Sequence, residues 1–214
     1  MNLLLKYLQK YGILLCNTNP DLPALEDIGC GWSDVTELID RRELFYCKAF
    51  RKRTTYLSKE TYYLLKEVRQ KKPLTPPAQR IYAILENGAE VETGFIKAVS
   101  GLDRKAYREG FDFLLQNLYV TALRNGKPLN ESWSTFLYAA AAEWEKRAPG
   151  PPPVENAAAR LWEILSQTMT ERQFRSLTGR SPQPPKPPFQ QTNLTQLPPR
   201  EFAPQNRQGP RSSR

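Results

Sequence analysis

Leu4, Leu5, Leu8 and Tyr11 recur at helical spacing, with Lys6 and Lys10 between them, and predict an amphipathic first helix. Two further helices are predicted over SDVTELIDRRELFYCKAFRKR and SKETYYLLKEVRQKK, with Ser33 and Ser58 as N-caps. The run 53–57 between them is expected to be extended, because Thr54, Thr55 and Tyr56 favour strand over helix. Next, AQRIYAILENG puts Ile81, Tyr82, Ile84 and Leu85 on one helical face, with Pro76 and Pro77 in the tolerated first turn and Asn87-Gly88 as the stop. After a brief extended AEVE comes TGFIKAVSG, with Thr93 as N-cap and Gly101 as stop. Asp103 then caps RKAYREGFDFLLQNLY, whose Tyr107, Phe111, Leu114, Leu115 and Leu118 form a core-facing stripe. YVTALRN and SWSTFLY, separated by a turn predicted at Asn125-Gly126, read as a hairpin.

Helix, short strand, helix, helix, hairpin is the order of a winged helix-turn-helix. Beyond it, VENAAARLWEILSQ and TERQFRSLTG predict two more helices. They read either as the start of another helix-turn-helix or as helices docked on the core. The tail is rich in Pro and Gln and offers only Phe189, Leu194, Leu197 and Phe202 as sizeable apolar groups, so it is expected to be disordered and locally polyproline II. The expected fold is mainly α with a small β wing: a helical N-terminal domain over 1–72, a winged helix over 73–148, a helical segment over 149–178 and a disordered tail over 179–214. QKKPLTPP and APGPPP supply the Pro-containing boundaries.

Composition sharpens this picture in two places. The chain has 214 residues, a net charge of +9 and no histidine. The charge is uneven: residues 1–72 carry thirteen cations against nine acids, 73–148 nine against nine, and 149–214 nine against four. Without imidazole there is no Ser/His/Asp or Cys/His catalysis and no His-liganded metal. Cys16, Cys30 and Cys47 form no CxxC pair, so neither a zinc site nor any cofactor is expected, and they read as free thiols of a cytoplasmic protein. Lys6 and Lys10 interrupt the apolar opening stretch, and no run approaches the roughly 18 apolar residues of a membrane span.

Two blocks resemble the bacterial winged-helix proteins related to the alkylpurine and interstrand-crosslink DNA glycosylases, which are built from tandem winged helices. One is YGILLCNTNPDLPALEDI followed by RRELFYCKAFRKRTTYLSKETYYLL, where Cys47 stands in place of the usual glycine; the other is LTPPAQRIYAILENGAEVETGFIKAVSG with FDFLLQNLYVTAL and SWSTFLYAAAAEW. The resemblance covers roughly residues 8–147 and implies a DNA-binding scaffold. The family's catalytic motif, glutamine, any residue, then glutamine or aspartate, is missing: Gln116-Asn117-Leu118 and Gln190-Gln191-Thr192 both depart from it.

The expected function is therefore non-catalytic binding of double-stranded DNA, in a regulatory or repair-accessory role, with a location at the nucleoid. Arg104, Lys105 and Arg108 would reach base edges or phosphates from the third helix of the module, while Lys97, Arg124 and Lys127 would touch phosphates. Arg51, Lys52 and Arg53 would strengthen the field if they folded back beside them, whereas Glu109 and Asp112 share that face and oppose it. Two alternatives stand beside this one. The first is a protein-interaction adaptor whose neutral winged helix docks one partner while the Pro-rich tail, with PQPPKPP, recruits another. The second is a divergent glycosylase using Asp103, Glu109 or Asp112.

Overall fold

The computed structural model describes residues 2–129 and 134–182. The Pro-rich tail beyond them lies outside the described residues, and so do the readings that fall on it.

The chain begins with α1 (Leu3–Tyr11), whose first backbone N–H groups are taken by the Asn2 side chain, and continues into β1 (Ile13–Leu15). Next come α2 (Trp32–Asp40), β2 (Leu44–Phe50), β3 (Arg53–Ser58) and α3 (Lys59–Val68). Ser58 caps α3 as expected, accepting the Thr61 N–H at 3.1 Å. The three strands form an antiparallel sheet in the order β1-β3-β2. The chain then runs through α4 (Pro76–Leu85), β4 (Val91–Glu92), α5 (Thr93–Ser100), α6 (Arg104–Gln116), β5 (Val120–Pro128) and β6 (Ser134–Ala140). These last three strands form a second antiparallel sheet, ordered β4-β6-β5. α7 (Ala141–Arg147), α8 (Ala157–Leu165) and α9 (Glu171–Thr178) complete the described chain.

The expectation of a mainly α chain with a small β wing and a helical N-terminal domain is overturned by these two three-stranded sheets. The long helix expected over 33–53 ends at Asp40, and Leu44 to Phe50 form a strand instead. The reason is burial on both faces. Phe45, Cys47 and Ala49 enter one hydrophobic cluster, while Leu44 and Tyr46 enter the other. Ile13 and Leu15 alternate in the same way with Leu14, and Leu57 with Tyr56. A strand with core on either side reads as a continuous apolar run and lacks the polar alternation that would distinguish it from a helix. Arg51 and Lys52, with φ of 48° and 60°, form the two-residue turn between β2 and β3, the backbone twist that a tight hairpin requires.

The β5–β6 hairpin is likewise no peripheral wing. Val120 to Leu123 are buried, as are Phe136 and Tyr138 to Ala140. The turn expected at Asn125-Gly126 is displaced: Asn125 pairs with Phe136, and the strand continues through an irregular register to Pro128. A side chain at Gly126 would run into the Thr135 hydroxyl, which explains the glycine inside a strand.

Thr121 joins the sheets. Its buried hydroxyl accepts the Tyr46 N–H at 3.0 Å and donates to the Tyr46 carbonyl at 2.9 Å. Thr121→Val keeps the shape but leaves two buried backbone groups unsatisfied. It is expected to cost about 1–3 kcal/mol per group left bare, read as a lower urea midpoint at unchanged slope.

One cluster packs between the first sheet and α3, α7, α8 and α9; Trp144, Tyr62, Leu165 and Phe174 are among its members. The other lies under α1, α2, α4, α5 and α6. Gly12 sits where α1, α3 and α8 meet, with φ at 76°. A Cβ there would strike the Thr61 hydroxyl and come within 2.7 Å of Ile164 Cγ2.

Candidate nucleic-acid interface

α6 has two differently treated ends. Its C-terminal part is held inside the molecule through buried Phe111, Leu114 and Leu115. At Gly110 it lies so close to α4 that a Cβ would come within 2.8 Å of the Pro77 carbonyl carbon. Tyr107 anchors the second turn by donating its hydroxyl to the Thr93 carbonyl at 3.1 Å and stacking on Phe111. Burial pushes the pKa of that hydroxyl up to about 12.

The first turn of α6 projects from this anchorage. Asp103 caps it, accepting the Ala106 N–H at 2.8 Å. Arg104 and Lys105 follow in that turn and Arg108 opens the next, all exposed, and none is in an ion pair among the described residues. A helix N-terminus already carries partial positive charge, so cations there raise the field and lower the helix's own stability. Several other basic residues have a structural reason. Lys66, Lys146 and Arg147, and Arg175 occupy last turns, and Lys59 pairs with Glu43 at 3.0 Å. Asp112, expected to oppose the cations, is engaged by Lys48 of β2 at 2.6 Å. That leaves Glu109 as the one acid exposed beside them on α6.

The remaining sequence-derived residues divide. Lys97 on α5 and Lys127 on β5 are exposed and in no ion pair among the described residues. Arg124 is committed to Glu90 at 2.7 Å, and the same carboxylate holds Arg147 at 3.0 Å. Arg51 and Arg53 are both drawn to Asp21, whose backbone carbonyl accepts from Gln173 of α9. Lys52 is exposed at the tip of the same turn. No hydrogen bond or ion pair joins this turn to the first turn of α6 among the described residues. Asp103 serves as a cap, Asp112 serves Lys48, and Glu109 is exposed on the surface of α6. Among the described residues there is no group of three or more potential metal ligands. No helix there is long and apolar enough to cross a membrane.

Sequence reasoning missed a cavity of about 230 Å³ lined by Arg69, Lys71, Tyr82 and Tyr119 together with residues of α3 and α7. Arg69 and Lys71 read along the chain as cations favouring a helix C-terminus. Nothing in their spacing announces that Tyr82 and Tyr119 come to lie beside them.

No family model, no curated protein and no solved structure matches this chain.

Proposed function

We propose that the chain is a non-catalytic double-stranded DNA-binding protein that contacts the duplex through the first turn of α6. The observation that carries this reading is that Arg104, Lys105 and Arg108, on a projecting helix start where the macrodipole disfavours cations, are in no ion pair among the described residues, while Lys48 engages Asp112 farther along the same helix. A helix of 13 residues is about 20 Å long and enters the major groove, roughly 12 Å wide, by its N-terminal end. Arg forks suit guanine edges and phosphates, whereas a lysine supplies a point charge. Lys97 and Lys127 add backbone contacts. Arg124 contributes less, because Glu90 neutralises it.

The test is a salt-titrated binding measurement on duplex DNA with the variant Arg104→Ala/Lys105→Ala/Arg108→Ala. Losing three phosphate contacts is expected to flatten the slope of log K against log salt by about 2–3 and to weaken binding at least ten-fold near 0.1 M salt. A variant that keeps the parent's affinity and salt slope would place the interface elsewhere. A parent whose affinity does not respond to salt would remove the reading altogether.

A further inference from the structure

The cavity between the end of α3, α4, the end of α6 and α7 is charged in a way the fold does not need. The Arg69 guanidinium is largely withdrawn from solvent, yet its hydrogen bond is to the neutral Gln116 carbonyl at 2.8 Å, and among the described residues no carboxylate pairs with it. Burial accordingly lowers its pKa. A cation removed from water without a counter-ion is unfavourable unless something else supplies the charge. The one carboxylate of the cavity, Glu145, is already used: it accepts from the Tyr62 hydroxyl and from Lys66 at 2.7 Å. Lys71 pairs with no acid among the described residues either. Its ammonium lies 5.2 Å from the centre of the Tyr119 ring. The groove on the other side of Arg69 adds Lys72 and Arg180 and no acid.

The walls are aromatic where they are not cationic. Tyr82 and Tyr119 meet edge to face at 5.6 Å, and both are partly exposed. The Tyr119 hydroxyl donates to the Lys72 carbonyl at 2.6 Å, which holds the basic segment over the ring. Apolar contact comes from Leu118 and Ala141. Leu118 adopts φ of 62°, a conformation a bulky residue rarely takes and one that recurs at binding sites. The volume, about 230 Å³, lies just under the roughly 300–1,000 Å³ of drug-sized pockets.

From this geometry we infer that the cavity binds a phosphomonoester carried on a single flat ring, of the kind a free pyrimidine nucleoside monophosphate presents. The phosphate dianion is matched by the two uncompensated cations, Arg69 and Lys71, and the ring lies against Tyr82 and Tyr119. This site is separate from the first turn of α6 and does not depend on the duplex reading.

Isothermal titration of the full chain with uridine 5′-monophosphate tests it, with uridine and inorganic phosphate as partial ligands. The nucleotide is expected to bind at least ten-fold more tightly than either part. Arg69→Gln is expected to weaken it at least ten-fold and Lys71→Ala three- to ten-fold, both variants keeping the parent's circular dichroism. Because Arg69 also supports the Gln116 carbonyl, the solvent-exposed Lys71 keeps the test valid should Arg69→Gln fail to fold. The α6 triple variant is expected to bind the nucleotide like the parent. Four results would overturn the inference: no heat at 5 mM nucleotide, binding no tighter than inorganic phosphate, indifference to Lys71→Ala, or loss of binding in the α6 variant. Tighter binding of a 5′-phosphorylated thymidine oligonucleotide than of the mononucleotide would overturn it too, since the ligand would then be a strand end.

Discussion

Replacing Trp144 with alanine is expected to remove about 3–5 kcal/mol of stability, the usual range for a fully buried large aromatic. The residue has no exposed surface and fills the space between the first sheet and α3. Phe45 and Tyr62 both approach its ring at 5.1 Å in edge-to-face geometry, and Tyr63 lies at 6.2 Å. Phe45 and Tyr62 are themselves stacked at 3.8 Å, so the cavity left behind cannot close by a small adjustment of either ring. The Trp144 indole N–H is buried without a hydrogen-bond partner among the described residues. Phenylalanine therefore removes a polar liability along with part of the volume and is expected to cost less than half as much as alanine. Urea unfolding followed by circular dichroism measures both variants. A domain stability of about 5–15 kcal/mol would leave the alanine variant partly unfolded at 37 °C. A loss under about 1 kcal/mol would show that the cluster repacks, contrary to the geometry.

Alkaline unfolding is the second large effect. Burial raises the pKa values of Tyr56, Tyr62 and Tyr138 above the usual phenol value, and that of the Cys47 thiol to about 12. These acids are neutral when protonated, so the fold favours the protonated form. Their contribution is whole below the unfolded-state pKa and is lost as the pH rises from there towards the folded-state value. Loss therefore starts near pH 9 with Cys47 and steepens above pH 10 as the tyrosines join. Each pH unit costs about 1.4 kcal/mol per group. By pH 11 the thiol alone removes roughly 3 kcal/mol and each buried tyrosine roughly another 1.4. The chain is expected to unfold cooperatively between pH 10 and 12, seen as simultaneous loss of the near-ultraviolet signal and appearance of tyrosinate absorbance. The Tyr56 hydroxyl makes no hydrogen bond of normal geometry and has the Cys16 thiol as neighbour. Tyr56→Phe is thus expected to leave neutral-pH stability almost unchanged while moving the alkaline midpoint upward. Tyrosinate absorbance rising smoothly through pH 10 with the fold intact would contradict this account.

The elements legible in the sequence are those with local punctuation. Asp103 caps α6, Ser58 caps α3, and Gly88 and Gly101 take the left-handed backbone that follows a helix. β2 was not legible, because its residues alternate between two cores and both phases are apolar. Leu44 and Tyr46 look the same as Phe45 and Cys47 until the second layer is in place. The same limit applies to the sites. That Arg104, Lys105 and Arg108 share a helix end follows from spacing. Their freedom from ion pairs does not, since it depends on Lys48 taking Asp112 across 64 positions. Arg124 looked equally free, and Glu90, 34 positions away, neutralises it. The Arg69 cavity draws on four separate stretches of chain, and no short window contains its chemistry.

The meeting of Gly12 with Ile164 has a consequence for the order in which the polypeptide is made. Ile13, Leu15 and Phe45 belong to a cluster closed by Leu165, Phe174 and Leu177. At roughly 5–20 residues per second, synthesis brings those closing residues out about eight to thirty seconds after β1. For much of that interval the first sheet, complete once β3 is made, is covered on this face by α3 and later α7 but not by α8 and α9. Until α8 and α9 have emerged, that face stays only partly covered, and the incomplete chain is correspondingly prone to aggregate.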